Sequence, residues 1–229
     1  MLVPGGISPG SQSFGITGIA DRFARIGFRV AHFDPDGRGE SGGIEDFGGP
    51  VHQVGLAGVV RMAASDEAVD AARLAVLSFD AGALMATGAV ARHPELSVRL
   101  LIDWEGPVTR ADVAKVLVSG ADGDAASLAG HDETWWRERE PARWLPRVRV
   151  PYLRMQGDPD HAGLDPSRAV TAVRLAAASR FGGKGRAPWV RLNGDAPNCP
   201  SEPPDGRWLP AMPAEVAALS YLVELLPPR

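Results

Sequence analysis

The sequence has a single cysteine, Cys199. No internal disulfide can therefore close, and no thiolate cluster can hold a metal. Histidine is also scarce: there are five, and none lies beyond His161. No apolar run approaches the roughly 18 residues that cross a bilayer. The N-terminal stretch MLVPGGISPG has no basic segment leading into an apolar one, so no signal peptide is visible and a cytoplasmic location is expected. Basic residues (24) do not outnumber acidic ones (28), which removes the footprint of a nucleic-acid binder. Neither a nucleic-acid nor a membrane partner is expected; a small-molecule substrate or ligand is. Nothing in the sequence calls for a cofactor, and no metal-ligand set is assigned.

What is present is a chain of 229 residues, 45% of them apolar, enough for one domain with a full core. Glycine (27) and proline (20) are abundant but dispersed, which indicates many tight loops rather than a disordered tail. Short apolar runs alternate with helical patterns. MLVPGG, FRVAHFD, RLAVLSF, VRLLIDWEG, VRVPYLRMQGD and PWVRLNGD read as strands. Helices are expected in SFGITGIADRFARIG, VHQVGLAGVVRMAASD, AGALMATGAVARHP, PSRAVTAVRLAAASR and PAEVAALSYLVELL. The strand runs are too continuously apolar for a sheet with one wet face. A mostly parallel, doubly wound sheet with helices on both faces follows, its chemistry beyond the carboxyl ends of the strands. Residues 107–147 break the rhythm and carry Trp135, Trp136 and Trp144, so they read as a small cap or lid within a single domain spanning 1–229.

The stretch LSFDAGA, residues 77–83, is a strand running into a turn of small residues and then a helix, with Asp80 at the apex and Ser78 and Gly82 as flanks. LVPGGISPGS, FRVAHFDPDGRGESGG and VRVPYLRMQGDPDHAG accompany it, in that order around the chain. Together these stretches resemble the α/β-hydrolase fold superfamily, nearest in flavour to its esterases and serine-peptidase-like members, over nearly the whole chain. The resemblance starts at the family's third strand, so the first hairpin is expected to be absent. It implies the nucleophile position for Asp80 and the acid position for Asp160, with Asp158 as the competing register. It implies an oxyanion hole from the backbone N–H of Ala81 with that of Gly6 or Ile7. The family histidine should follow the last strand, where Asn198 stands instead.

Two of the three catalytic identities thus depart from Ser-His-Asp. A carboxylate at the apex can attack carbon to form an ester that water then hydrolyses, and haloalkane dehalogenases and epoxide hydrolases of the superfamily work in this way. Such a site needs a base for the water, and His161, beside Asp160, is the candidate. Asn198 can orient but not accept a proton. Trp104, Glu105, Trp135 and Trp136 are assigned to the substrate pocket, with Glu105 also placed to serve as an alternative acid or to pair with an arginine such as Arg110. Three readings stay open. One is a hydrolase of a small ester-like or related substrate with an atypical Asp80-centred site. Another is a catalytically inactive hydrolase-like domain that binds a small molecule or partner. The third is a carboxylate-rich cation site, should Asp80, Asp160 and Glu105 converge.

Overall fold

The computed structural model describes residues 1–5, 10, 14, 18–25, 27–120, 130–157, 160, 162–178, 189–192 and 207–208. Among them, six strands form one parallel sheet in the order β1-β2-β3-β4-β5-β6: β1 (Leu2–Val3), β2 (Leu74–Phe79), β3 (Val98–Trp104), β4 (Tyr152–Gly157), β5 (Trp189–Leu192) and β6 (Arg207–Trp208). The helices are α1 (Ile19–Arg25), α2 (Pro50–Ser65), α3 (Gly82–Arg92), α4 (Arg110–Gly120), α5 (Glu133–Arg139), α6 (Pro141–Trp144) and α7 (Arg168–Ala177). Short 3₁₀ turns lie at Ala71–Arg73 and Leu145–Arg147. No helix among the described residues is long and apolar enough to cross a membrane.

FRVAHFD, expected as a strand, forms no ladder. It lies beside β1, where Ala31 O accepts a hydrogen bond from Leu2 N–H at 2.8 Å. This placement determines the winding. The chain leaves β1, passes to its outer side through α1, then crosses back over to β2 and proceeds one way across the sheet. Because crossovers between parallel strands keep one hand, the reversal sends helices to opposite faces. On one face Leu56, Ala57 and Val60 of α2, Met85, Ala86 and Ala89 of α3, and Ala169, Ala172 and Val173 of α7 pack on Val3, Val76, Leu101 and Tyr152. On the other, Phe23 of α1 packs with Leu2, Leu77, Leu100, Ile102, Leu153 and Met155. The sheet is doubly wound, and its switch point lies between β1 and β2, where a ligand crevice opens in folds of this kind.

Helix α3 is central. Its residues Gly82 to Val90 are all buried, as a helix with small and apolar residues on every side must be. Gly82 makes this possible, since a Cβ there would lie 2.6 Å from Pro4 O. Gly5 plays the reciprocal part, because a Cβ on it would lie 2.6 Å from Phe79 O. The two glycines let the exit of β1 and the start of α3 touch backbone to backbone. The final expected helix, PAEVAALSYLVELL, lies outside the described residues, and β6 has no counterpart among the strands read from the sequence.

Candidate active site

The β2–α3 junction turns within one residue. Asp80 adopts φ 45°, in the left-handed region, which costs an L-residue roughly 1–2 kcal/mol. The turn is pinned from both sides. Asp80 N–H donates to Trp104 O at 2.9 Å, and Asp80 O accepts from Ala83 N–H at 3.0 Å. Ala81 follows and α3 begins at Gly82, so the Asp80 carboxylate stands at the amino end of a buried helix, where negative charge is favoured. It also stands at the switch point, against Gly5. Ser78 lies two residues earlier inside β2, fully buried, its hydroxyl donating to Ile102 O at 3.2 Å.

β3 ends in a second left-handed residue, Glu105, with φ 53°. Its carboxylate is buried and accepts a hydrogen bond from Gly157 N–H, the last residue of β4. Arg110, the partner expected for it, pairs instead with Glu133 at 2.7 Å and Glu140 at 2.8 Å.

Asp160 follows β4. β3 lies between β2 and β4, so the two strand ends stand roughly 10 Å apart at ordinary strand spacing. Among the described residues, the bonds to Asp160 come from its own neighbourhood. Oδ1 accepts from Ala162 N–H (3.0 Å) and Leu164 N–H (3.2 Å), and Oδ2 accepts from Gln156 Nε2 (2.7 Å). Oδ2 also forms an ion pair with Arg168 Nη2 in which both side chains are buried. Burial pushes the carboxyl up, but the Gln156 bond and the Arg168 charge outweigh it and hold Asp160 below its ordinary value of 3.8. Arg168 is further fixed by donating Nη2 to Glu105 O (2.8 Å) and Nε to Gly106 O (3.3 Å).

This pair ends a longer buried chain. Along β4, Tyr152, Arg154 and Gln156 alternate onto one face. Tyr152 hydroxyl donates to Asp103 Oδ2 at 2.6 Å, Arg154 Nη1 donates to the same oxygen at 2.7 Å, and Arg154 Nη2 donates to Gln156 Oε1 at 2.8 Å. Asp103 and Arg154 are register partners, both fully buried. Burial and the Asp103 charge push the Tyr152 hydroxyl well above its ordinary value. The sequence reading missed Arg154, Gln156 and Arg168, and with them the network that holds Asp160.

An apolar layer covers the turn on the α3 side. Ala81 and Leu84 pack with Val113, Val116 and Leu117 of α4, with Leu164, and with Phe47, Trp135 and Trp136. Trp135 is held on several sides: the His131 ring stacks at 3.9 Å, Arg139 lies 3.9 Å over it, and Trp136 meets it edge-on at 4.9 Å. Arg139 in turn forms an ion pair with Asp46. Trp104 belongs to the opposite face, where it meets Phe79 at 5.0 Å. Ala81 is buried at the start of α3. Gly6, Ile7, Asp158, His161 and Asn198 lie outside the described residues. Among those described, no three His, Cys, Asp or Glu side chains gather as a metal-binding group.

No family model matches the sequence, and no curated protein does. Solved structures do match. The 2,6-dihydroxy-pseudo-oxynicotine hydrolase superposes with a TM-score of 0.68 at 16% identity, over 99% of this chain and 60% of that one. Est1E from Butyrivibrio proteoclasticus, with ferulic acid bound, gives 0.60 at 14% identity over 98% and 88%. A lipase/esterase from Lactobacillus plantarum gives 0.61 at 16% identity over 97% and 84%. The chain has the α/β-hydrolase fold. At these identities the likeness defines the fold, and the chemistry rests on the residues themselves.

Proposed function

We propose that the protein is a hydrolase of a small ester-like or related substrate whose reaction begins at Asp80. The observation that carries this is the left-handed backbone of Asp80 at the switch point. A non-glycine residue is kept there at a cost that glycine would avoid. Similarity to solved structures described as an esterase and a hydrolase supports the same reaction class.

In this reading an Asp80 carboxylate oxygen attacks a carbon bearing a leaving group. The new C–O bond forms as the bond to the leaving group breaks, and the leaving group departs with its electron pair. Water then attacks the Asp80 carboxyl carbon, releasing the product hydroxyl and restoring the carboxylate. His161 is assigned to take the proton from that water, and Asn198 to orient it. The N–H groups of Ala81 and of Gly6 or Ile7 are assigned to the oxyanion formed in the second step. Residues 107–147 serve as the cap, with Trp135 and Trp136 facing substrate.

The test is hydrolysis of short acyl esters and epoxides by the wild type and by Asp80→Asn. Turnover abolished by the substitution supports the reading; equal turnover by both proteins refutes it. A serine-directed fluorophosphonate should label the protein slowly, since Ser78 is buried and bonded within β2. Rapid labelling would place the nucleophile elsewhere.

A second reading is favoured by one observation: Asp160, at the family acid position, already has its carboxylate bonded to Arg168, Gln156 and two backbone N–H groups. A protein that binds a ligand at the Asp80 crevice without turning it over would show saturable binding and no hydrolysis of any panel compound.

A further inference from the structure

At the far end of α3 from Asp80, about 15 Å along the helix axis at 1.5 Å per residue, lies an open cleft of about 210 Å³. It is lined by Arg92, Thr134, Arg137, Glu138, Arg143, Trp144 and Arg147. Four arginines and one glutamate line a single cleft, in a protein whose net charge is -4. Glu138 reaches Arg92 at 3.4 Å. One carboxylate offsets one of the four charges, so a strong positive excess remains.

The arrangement is built rather than incidental. Trp144 is buried, and its indole N–H is used up by Glu138 O at 3.0 Å. Its ring carries Arg92 at 4.5 Å and Arg147 at 5.5 Å from the centroid. These cation–π contacts hold two guanidinium groups in place before any ligand arrives, which lowers the ordering cost of binding. Favourable charge at a helix C-terminus accounts for Arg92, in the last turn of α3. Arg137, Arg143 and Arg147 likewise sit in the last turns of α5, α6 and the following 3₁₀ turn, and that preference does not explain why the four, from separate elements, converge on one cleft.

Planar guanidinium forks match phosphate oxygens and bind them with charge-assisted bonds. The volume is below the roughly 300–1,000 Å³ of pockets that enclose a whole drug-sized ligand. It suits an anionic group whose remainder stays in solvent. We propose that this cleft binds a soluble phosphate-bearing small molecule by its phosphate group. The site is separate from Asp80 and stands whether or not Asp80 is catalytic.

The test is calorimetric titration of the full chain at low salt with pyrophosphate and glycerol 3-phosphate, and with citrate as an anion lacking phosphate. Both phosphates should bind at a single saturable site, more tightly than citrate, and weaken as salt rises. Arg137→Ala with Arg143→Ala should weaken them by about tenfold or more, the equivalent of 1.4 kcal/mol, while circular dichroism shows an unchanged fold. Asp80→Asn should bind them as the wild type does. No saturable binding at millimolar ligand overturns the proposal, as does equal binding by the double variant or citrate binding as tightly as pyrophosphate. Binding to vesicles of phosphatidic acid in phosphatidylcholine, with none to either soluble phosphate, would overturn it in favour of a membrane ligand.

Discussion

Arg168→Met removes the guanidinium but keeps most of the side-chain volume. In the structure that guanidinium forms an ion pair with Asp160 and donates to Glu105 O and Gly106 O, with both members of the pair buried. Breaking a buried pair from one side typically costs 3–5 kcal/mol, because the other charge is left behind. For a chain of this length that corresponds to a melting temperature lower by about 6–20 °C. The loss depends on pH. Asp160 is held below its ordinary 3.8 in the folded state. Its contribution is therefore fully present above pH 3.8 and disappears as pH falls through the depressed folded value. The gap between wild type and Arg168→Met should be widest near neutrality and close in acid. Thermal denaturation of both proteins at several pH values measures this. A gap that is small at pH 7, or that does not narrow below pH 3.8, would refute the idea that Arg168 stabilises an ionised Asp160.

Three other outcomes follow from the geometry. Gly82→Ala places a Cβ 2.6 Å from Pro4 O and should cost roughly 1–3 kcal/mol in denaturant unfolding; an unchanged midpoint would mean that β1 and α3 can move apart freely. His52 is fully buried, with Gly48 N–H donating to Nδ1 at 3.1 Å and Nε2 bonded to Asp36 O at 2.9 Å. Burial depresses its pKa below 6.5 despite the opposing Asp36 O bond and Glu45 charge, so its contribution should be full above pH 6.5 and fall as pH drops through the folded value; a His52→Gln variant should lack that decline, and one that keeps it would clear His52 of responsibility. Arg139→Leu, which removes the ion pair to Asp46 and the cation lying on Trp135, should raise proteolytic cleavage within 107–147 before global unfolding; unchanged cleavage would show that other contacts hold this region.

The alternation of strand and helix was legible because β2 and β3 are largely apolar runs, as in RLAVLSF and VRLLIDW. FRVAHFD has the same look, yet it runs along the sheet edge, half exposed at Phe28, Val30 and Phe33, and among the described residues it makes one backbone bond to the sheet where a central strand makes many. Residue type alone does not separate these cases. The turn at Asp80 was legible because small residues crowd where backbone meets backbone, and Gly82 against Pro4 is that crowding. The partners of Asp160 were not legible, since Arg168 reaches it only through the docking of α7 on the sheet. A weaker signal existed: Tyr152, Arg154 and Gln156 alternate with Leu153 and Met155, and the period of two puts all three polar groups on one face. That stripe, in a strand buried on both faces, required buried partners, and Asp103 across the register is one.

The most direct test of the Asp80 assignment is repeated turnover of a hydrolysed panel substrate in oxygen-18 water, followed by mass spectrometry of the peptide containing residue 80. If Asp80 forms the ester and water cleaves it at the carboxyl carbon, solvent oxygen accumulates in the Asp80 side chain and nowhere else in the protein. Turnover that leaves Asp80 unlabelled would contradict the account, because water would then be attacking the substrate directly.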